Sequence, residues 1–156
     1  MFTKKILIVS NIIFITIILI LAYILLFTGT EMVKLPDDSR IVVKYEPDLR
    51  DLVMSEMRDY LEVINEIQHG LKENNPDKIV KAATRQGKIS LDETPIRLLK
   101  LSPLACKQMG FKGHDIFQAI ADSTRVNFKP ETTINQLAEL TNNCIACHRT
   151  YKLELE

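Results

Sequence analysis

Residues Pro47 to Gly70 read PDLRDLVMSEMRDYLEVINEIQHG, and the spacing of their apolar side chains decides the fold. Val53, Met57, Tyr60, Ile64 and Ile67, continued by Leu71, recur at intervals of four and three, the seam of a helix that buries one face in a bundle. Pro47 suits the first helical position because its missing N–H would have no partner there. Asp48 and Asp51 place negative charge at the positive end of the helix dipole.

Working outward from this helix, ENNPDK (residues 73–78) supplies a turn and a new start, with Asn75 as N-cap and Pro76 at the first position. A second helix is expected from Pro76 to about Lys88, with Ile79, Val80, Ala83 and Gly87 inward. Ser90 to Gly110 holds Pro95 and Pro103 and reads as an irregular crossover, with short helical turns at Ile96–Leu101 and Pro103–Met109. A third helix is expected over Lys112–Ser123, carrying His114, Phe117, Ile120 and Ala121. A fourth follows Pro130, with Thr133 and Gln136 as a capping box and Leu137, Thr141, Cys144, His148, Tyr151 and Leu155 as a seam running to the end. Four such helices without a convincing strand signal indicate an all-α protein, an up-down-up-down four-helix bundle over residues 47–156.

Upstream the composition changes. From Ile6 to Phe27 run about 22 uncharged, mostly apolar residues, enough as a helix to span roughly 33 Å and cross a bilayer core. Lys4 and Lys5 precede the run and Glu31 follows it, so residues 1–30 read as one N-terminal transmembrane helix, a signal anchor with the N-terminus inside. In a bacterium this is a single-pass inner-membrane protein whose bundle faces the periplasm. The alternative is a cleaved signal peptide and a soluble periplasmic domain, but the apolar run exceeds the usual 7–15 residues and Thr28–Gly29–Thr30 is a weak cleavage site. Residues 31–46 read as a tether. The chain from Glu31 onward carries 18 basic and 20 acidic residues, a balance that gives no electrostatic case for nucleic acid.

The chemistry concentrates in CIACH, residues Cys144 to His148. Two thiols one helical turn apart, with an imidazole directly after the second, form the attachment signature of c-type haem. The two sulfurs make thioethers with the vinyl groups and the imidazole becomes an axial iron ligand. One covalent haem c per chain is therefore expected on Cys144, Cys147 and His148. Two rival readings stay open. A dithiol redox motif usually sits beside a βαβ pattern, and a structural zinc would need Cys106, His69 or His114 to complete a set of four without the usual spacing. The lack of Trp leaves an interior that a large flat cofactor would fill.

CIACH near the C-terminus, followed by Tyr151 and Lys152 in CHRTYK on the last helix of a four-helix bundle, resembles the class II c-type cytochromes, the cytochrome c′ group. The resemblance covers Pro47 to Glu156. In that family the first helix carries RxxxM or RxxxL, matched here by RDLVM with Arg50 and Met54. The resemblance implies that Met54 faces the open side of the iron as sixth ligand, that Arg50 lies near the propionates, that Lys152 sits beside the haem, and that homodimers form. Helical rise offers a parallel argument: Met54 seven residues inside Pro47 and His148 seven before Leu155 each lie roughly 10 Å from a common bundle end, whereas Met57 would be about 15 Å deep.

With both axial positions filled, the expected role is a membrane-anchored monohaem cytochrome passing electrons between redox partner proteins, and no acid, base and nucleophile set indicates an enzyme. A five-coordinate haem protein that binds a small gas is the alternative. Phe117 and Tyr151 read as core, His114 as a hydrogen-bonded core or surface residue, His69 as a partner of a helix C-terminus, and Cys106 as a free thiol.

Overall fold

The computed structural model describes residues 2–23, 38–87 and 94–155, and divides the chain into two compact units, Met1–Asp38 and Ser39–Glu156. Residues 24–37 of the expected anchor and tether, and the end of the second expected helix at Lys88, lie outside the described residues.

In the first unit, α1 runs over Phe2–Tyr23. Its side chains are described over residues 9–21, about 20 Å at the helical rise, and all of them are exposed. Among the described residues no helix is long and apolar enough to cross a membrane.

The second unit is predominantly helical: α2 (Pro47–Lys72), α3 (Pro76–Arg85), α4 (Ile96–Leu101), α5 (Leu104–Asn127) and α6 (Pro130–Thr150). The turn from α2 to α3 forms as its residues dictate. Asn74 takes the left-handed conformation (φ 51°), and the Asn75 side chain accepts a hydrogen bond from the Lys78 N–H at 3.1 Å. Helix α2 packs on α3, α3 on α5 and α5 on α6. These four bury one core in which Val63, Ile67, Ile79, Ala83, Phe117, Ile120 and Leu140 are fully enclosed.

Three departures from the sequence reading bear on the site. The third helix begins at Leu104, eight residues before the expected Lys112, because the turn after Pro103 continues without a break through Gly110 and Gly113. A side chain at 113 would put a Cβ 3.1 Å from the Tyr60 ring, so glycine there admits the Tyr60 ring of α2 against α5. The capping box does not form: Pro130 opens α6 four residues early, Lys129 is the N-cap, and Thr133 is buried inside the helix.

The third departure is a pair of strands. Residues 41–45 of the expected tether form β1 (Ile41–Tyr45), and α6 stops at Thr150, giving way to β2 (Tyr151–Leu155). The two pair in parallel, Ile41 opposite Tyr151 and Tyr45 opposite Leu155. Val43, Tyr45, Leu49 and Tyr151 form a second core cluster, and Val53, Leu98, Cys106, Met109 and Cys147 pack against it.

Candidate functional site

A partly open cavity of about 180 Å³ lies beside that second cluster. Val53, Glu56, Met57 and Tyr60 of α2 form one wall, and Asn143, Cys144, Cys147 and His148 of α6 another. Cys106, Lys107, Met109, Gly110, Phe111 and His114 of α5 form the floor; Leu98, Leu99 and Ser102 in and after α4, with Tyr45 of β1, close one end.

Each wall has a local cause. On the continuous helix α6, Cys144 and Cys147 are one turn apart and so share a face, with His148 beside them. Both thiols are half-buried and His148 is exposed at the rim. Asn143 Nδ2 donates to the Met109 carbonyl at 2.8 Å, which fixes α6 against α5 at this level. Arg40 Nη1 donates to the His148 carbonyl at 3.4 Å, joining the segment before β1 to the end of α6. Short α4 is held by Arg97, which pairs with Glu46 and, at 2.6 Å, with Asp48 at the start of α2. Ser102 Oγ donates to the Leu98 carbonyl at 2.6 Å, so it accepts the Tyr45 hydroxyl proton across 2.7 Å.

The polar groups form two sets. Cys106 on α5 and Cys147 on α6 both line the cavity and pack against the second cluster. Their interaction pulls the Cys106 thiol down and, with burial, pushes Cys147 up. Burial, then the neighbouring Cys147, pushes Cys144 up as well. In the second set, buried His114 places Nδ1 2.9 Å from the Gln86 carbonyl, and Nε2 faces the Tyr60 hydroxyl at 2.7 Å and Glu56 Oε1 at 3.0 Å. Burial, then the Glu56 charge, pushes the Tyr60 phenol far up, so it stays protonated. Among the described residues no group of three or more His, Cys, Asp or Glu side chains is arranged to hold a metal ion.

The structure thus brings Cys144, Cys147 and His148 together on one cavity, with Met57 on the α2 wall. Met54 is half-buried but is not among the lining residues, and neither is Arg50, whose guanidinium lies 3.7 Å from Asp51. The depth match that favoured Met54 depended on a helix reaching Leu155; with α6 ending at Thr150, His148 lies near its terminus. Lys152 belongs to β2 and pairs with Glu154 at 2.9 Å. Glu56, Tyr60, Tyr45, Ser102 and Asn143 were not singled out from the sequence. Tyr60 alone carried a signal, its place on the first helical seam.

Comparisons with protein-family models, with curated proteins and with solved structures find no match to this chain.

Proposed function

We propose that this is a membrane-anchored, exported monohaem c-type cytochrome that relays electrons between redox partner proteins. The observation that supports it best is the convergence of Cys144, Cys147 and His148 on one apolar-walled cavity that also holds a methionine of the facing helix. The fit is chemical: two adjacent thiols to anchor a porphyrin, an imidazole at the rim to ligate iron, and a wall of Val53, Leu98, Leu99, Met109 and Phe111 to exclude water. A haem bound there supplies a one-electron couple whose potential its axial ligands and surroundings set. Cys144 and Cys147 would fix the group to α6, His148 would supply a nitrogen ligand, and Met57 offers an α2 thioether on the cavity lining. Met54 remains the alternative sulfur by resemblance, and Arg50 a partner for propionates by the same argument.

The anchor rests on α1 together with the uncharged sequence that continues to Phe27. Apolar side chains from Val9 to Leu21 are exposed all round, the pattern of a helix solvated by lipid. The bundle then stands in the periplasm, and tethering raises its concentration near membrane partners. The four packed helices of the second unit support the up-down-up-down arrangement of the cytochrome c′ group.

A second reading, a five-coordinate haem protein that binds a small gas, is favoured by one observation: Met54 is absent from the cavity lining. The full chain, made in a host that attaches haem c, separates the readings. Covalent haem by mass and a reduced spectrum indifferent to carbon monoxide are expected for the relay; a spectrum that shifts fully with the gas selects the second reading. Bare polypeptide refutes both.

A further inference from the structure

Lys107 stands in the first turn of α5, on the floor of the cavity, and among the described residues that line it no other is a lysine or arginine. Its side chain is half-buried, so bulk water does not solvate it on all sides. Nζ donates to the Leu99 carbonyl at 2.8 Å. An ammonium has three donors, and this neutral acceptor satisfies one of them. Among the described residues no carboxylate pairs with Lys107, and none stands in the first turn of α5 to offset the positive end of that helix dipole. Other cations of this unit are paired: Arg97 meets Glu46 and Asp48, Arg85 meets Glu66, and Lys112 meets Glu139. Glu56, the one carboxylate among the described lining residues, belongs to the α2 wall and is engaged by His114.

We propose that Lys107 is the anion subsite of this cavity and takes the carboxylate of a ligand whose body is an apolar ring system. Val53, Leu98, Leu99, Met109 and Phe111 supply apolar wall for the body, and the ammonium beside Leu99 draws the acidic end toward the junction of α4 and α5. That the ring system is a porphyrin rests on the haem reading above; the subsite itself rests on the place of Lys107 in the cavity. Arg50, the propionate partner implied by resemblance, lies outside the lining with its guanidinium 3.7 Å from Asp51, so an acid group inside the cavity meets Lys107 instead. A half-buried ammonium against apolar walls makes a charge-assisted bond that salt and water screen less than at an open surface. A bracing role alone, tying α5 to the end of α4 through the Leu99 carbonyl, predicts no discrimination between an acid and its ester.

The test uses the full chain in detergent, produced without haem-attachment machinery and titrated with iron-free protoporphyrin IX and with its dimethyl ester. The two share one ring system, and without iron neither is ligated by His148 or a methionine. Binding is followed by quenching of tyrosine fluorescence, since Tyr45 and Tyr60 line the cavity. Micelles take up each porphyrin alike whatever the variant, so the acid-to-ester affinity ratio is compared between variants. The ratio is expected to fall about tenfold from wild type to Lys107→Met, the loss of one charge-assisted hydrogen bond, and to be retained in Lys107→Arg. If circular dichroism shows Lys107→Met unfolded, Lys107→Gln takes its place. A ratio unchanged on removing the charge, an equal loss of acid and ester, or a wild type that binds neither porphyrin overturns the proposal. A ratio that falls in a chain that never acquires covalent haem supports the subsite and refutes the cytochrome reading, whereas covalent haem with an unchanged ratio does the reverse.

Discussion

Replacing Tyr60 by phenylalanine removes one oxygen from the wall of the cavity and leaves its packing in place, so it isolates the hydrogen bond to His114. The ring would keep its edge contacts with Phe117 (centroids 5.0 Å, 80° between planes) and with His114 (5.2 Å, 89°). His114 Nδ1 faces a carbonyl, which only accepts, so that nitrogen carries a proton and Nε2 is left to accept from the Tyr60 hydroxyl at 2.7 Å. The loss is then a single neutral hydrogen bond, about 0.5–1.5 kcal/mol. His114→Leu is the harsher change. It strands the Gln86 carbonyl and the Tyr60 hydroxyl in partly buried surroundings at about 1–3 kcal/mol each, for a total of roughly 2–6 kcal/mol. The Glu56 side chain is 35% exposed and solvent takes over its share, so it adds nothing to that sum. Urea unfolding of the full chain, followed by far-UV circular dichroism, measures both variants and the double variant. The double variant is expected to cost less than the sum of the two, because the same hydroxyl–imidazole bond is removed in each. Additive costs, or a Tyr60→Phe as damaging as His114→Leu, would refute the assignment of this network.

Gly70→Ala places a Cβ 2.6 Å from Ile79 Cγ1 and 3.3 Å from the Ile79 nitrogen, forcing α3 away from α2. An expected loss of about 1–3 kcal/mol outweighs the roughly 0.5–1 kcal/mol that alanine gains in a helix, and a neutral result in thermal unfolding would contradict the close approach. In haem-loaded protein, Met57→Ala is expected to open the reduced iron to carbon monoxide while Met54→Ala leaves the spectrum unchanged; the reverse pattern would restore Met54 as the sulfur ligand. The Arg97 hydrogen bond holds the Asp48 carboxyl below its usual range, so its contribution is complete above the unfolded value near ~3.9 and is lost as pH falls through the folded one. Asp48→Asn should therefore lower stability slightly at neutral pH, flatten the acid limb of the profile and leave stability below the folded value unaltered, as read by thermal unfolding across pH.

The helices were legible where local signals agree, and the site was not where a distant element decides. Asn75 and Pro76 start α3 as their side chains dictate, and the seam from Val53 to Leu71 does bury Ile67, with Val63 beside it. The C-terminus misleads because Tyr151 and Leu155 are four apart, a spacing compatible with a helical period and with a strand period of two. Leu153 between them distinguishes the two, but β2 forms only because β1, more than a hundred residues earlier, offers a backbone to pair with. In β1 itself the alternation is short, with Val43 and Tyr45 buried and Val42 and Lys44 exposed, and without its partner it reads as a polar linker. His114 was legible as an inward helical position, whereas its partners Glu56 and Tyr60 lie more than fifty residues away.

The strand pair also explains why the two ends of the second unit differ in character. The main core is closed by four helices around Phe117, Ile79 and Leu140, all fully buried, and needs nothing further to fill it. At the other end α2 and α6 flank an open cavity, and the chain closes around it by other means: β1 against β2, Tyr45 on Ser102, and Arg97 tying α4 to Glu46 and Asp48. A two-stranded parallel sheet is marginal on its own. Its stability comes from Val43, Tyr45 and Tyr151 packing beside Cys147 and Met109, the residues that edge the cavity. A ligand that fills this space with apolar surface would therefore stabilise the strand pair and the α6 terminus more than the main core. Hydrogen exchange should register it as slower exchange of the β1–β2 amides, with little change at Val63 and Ile120.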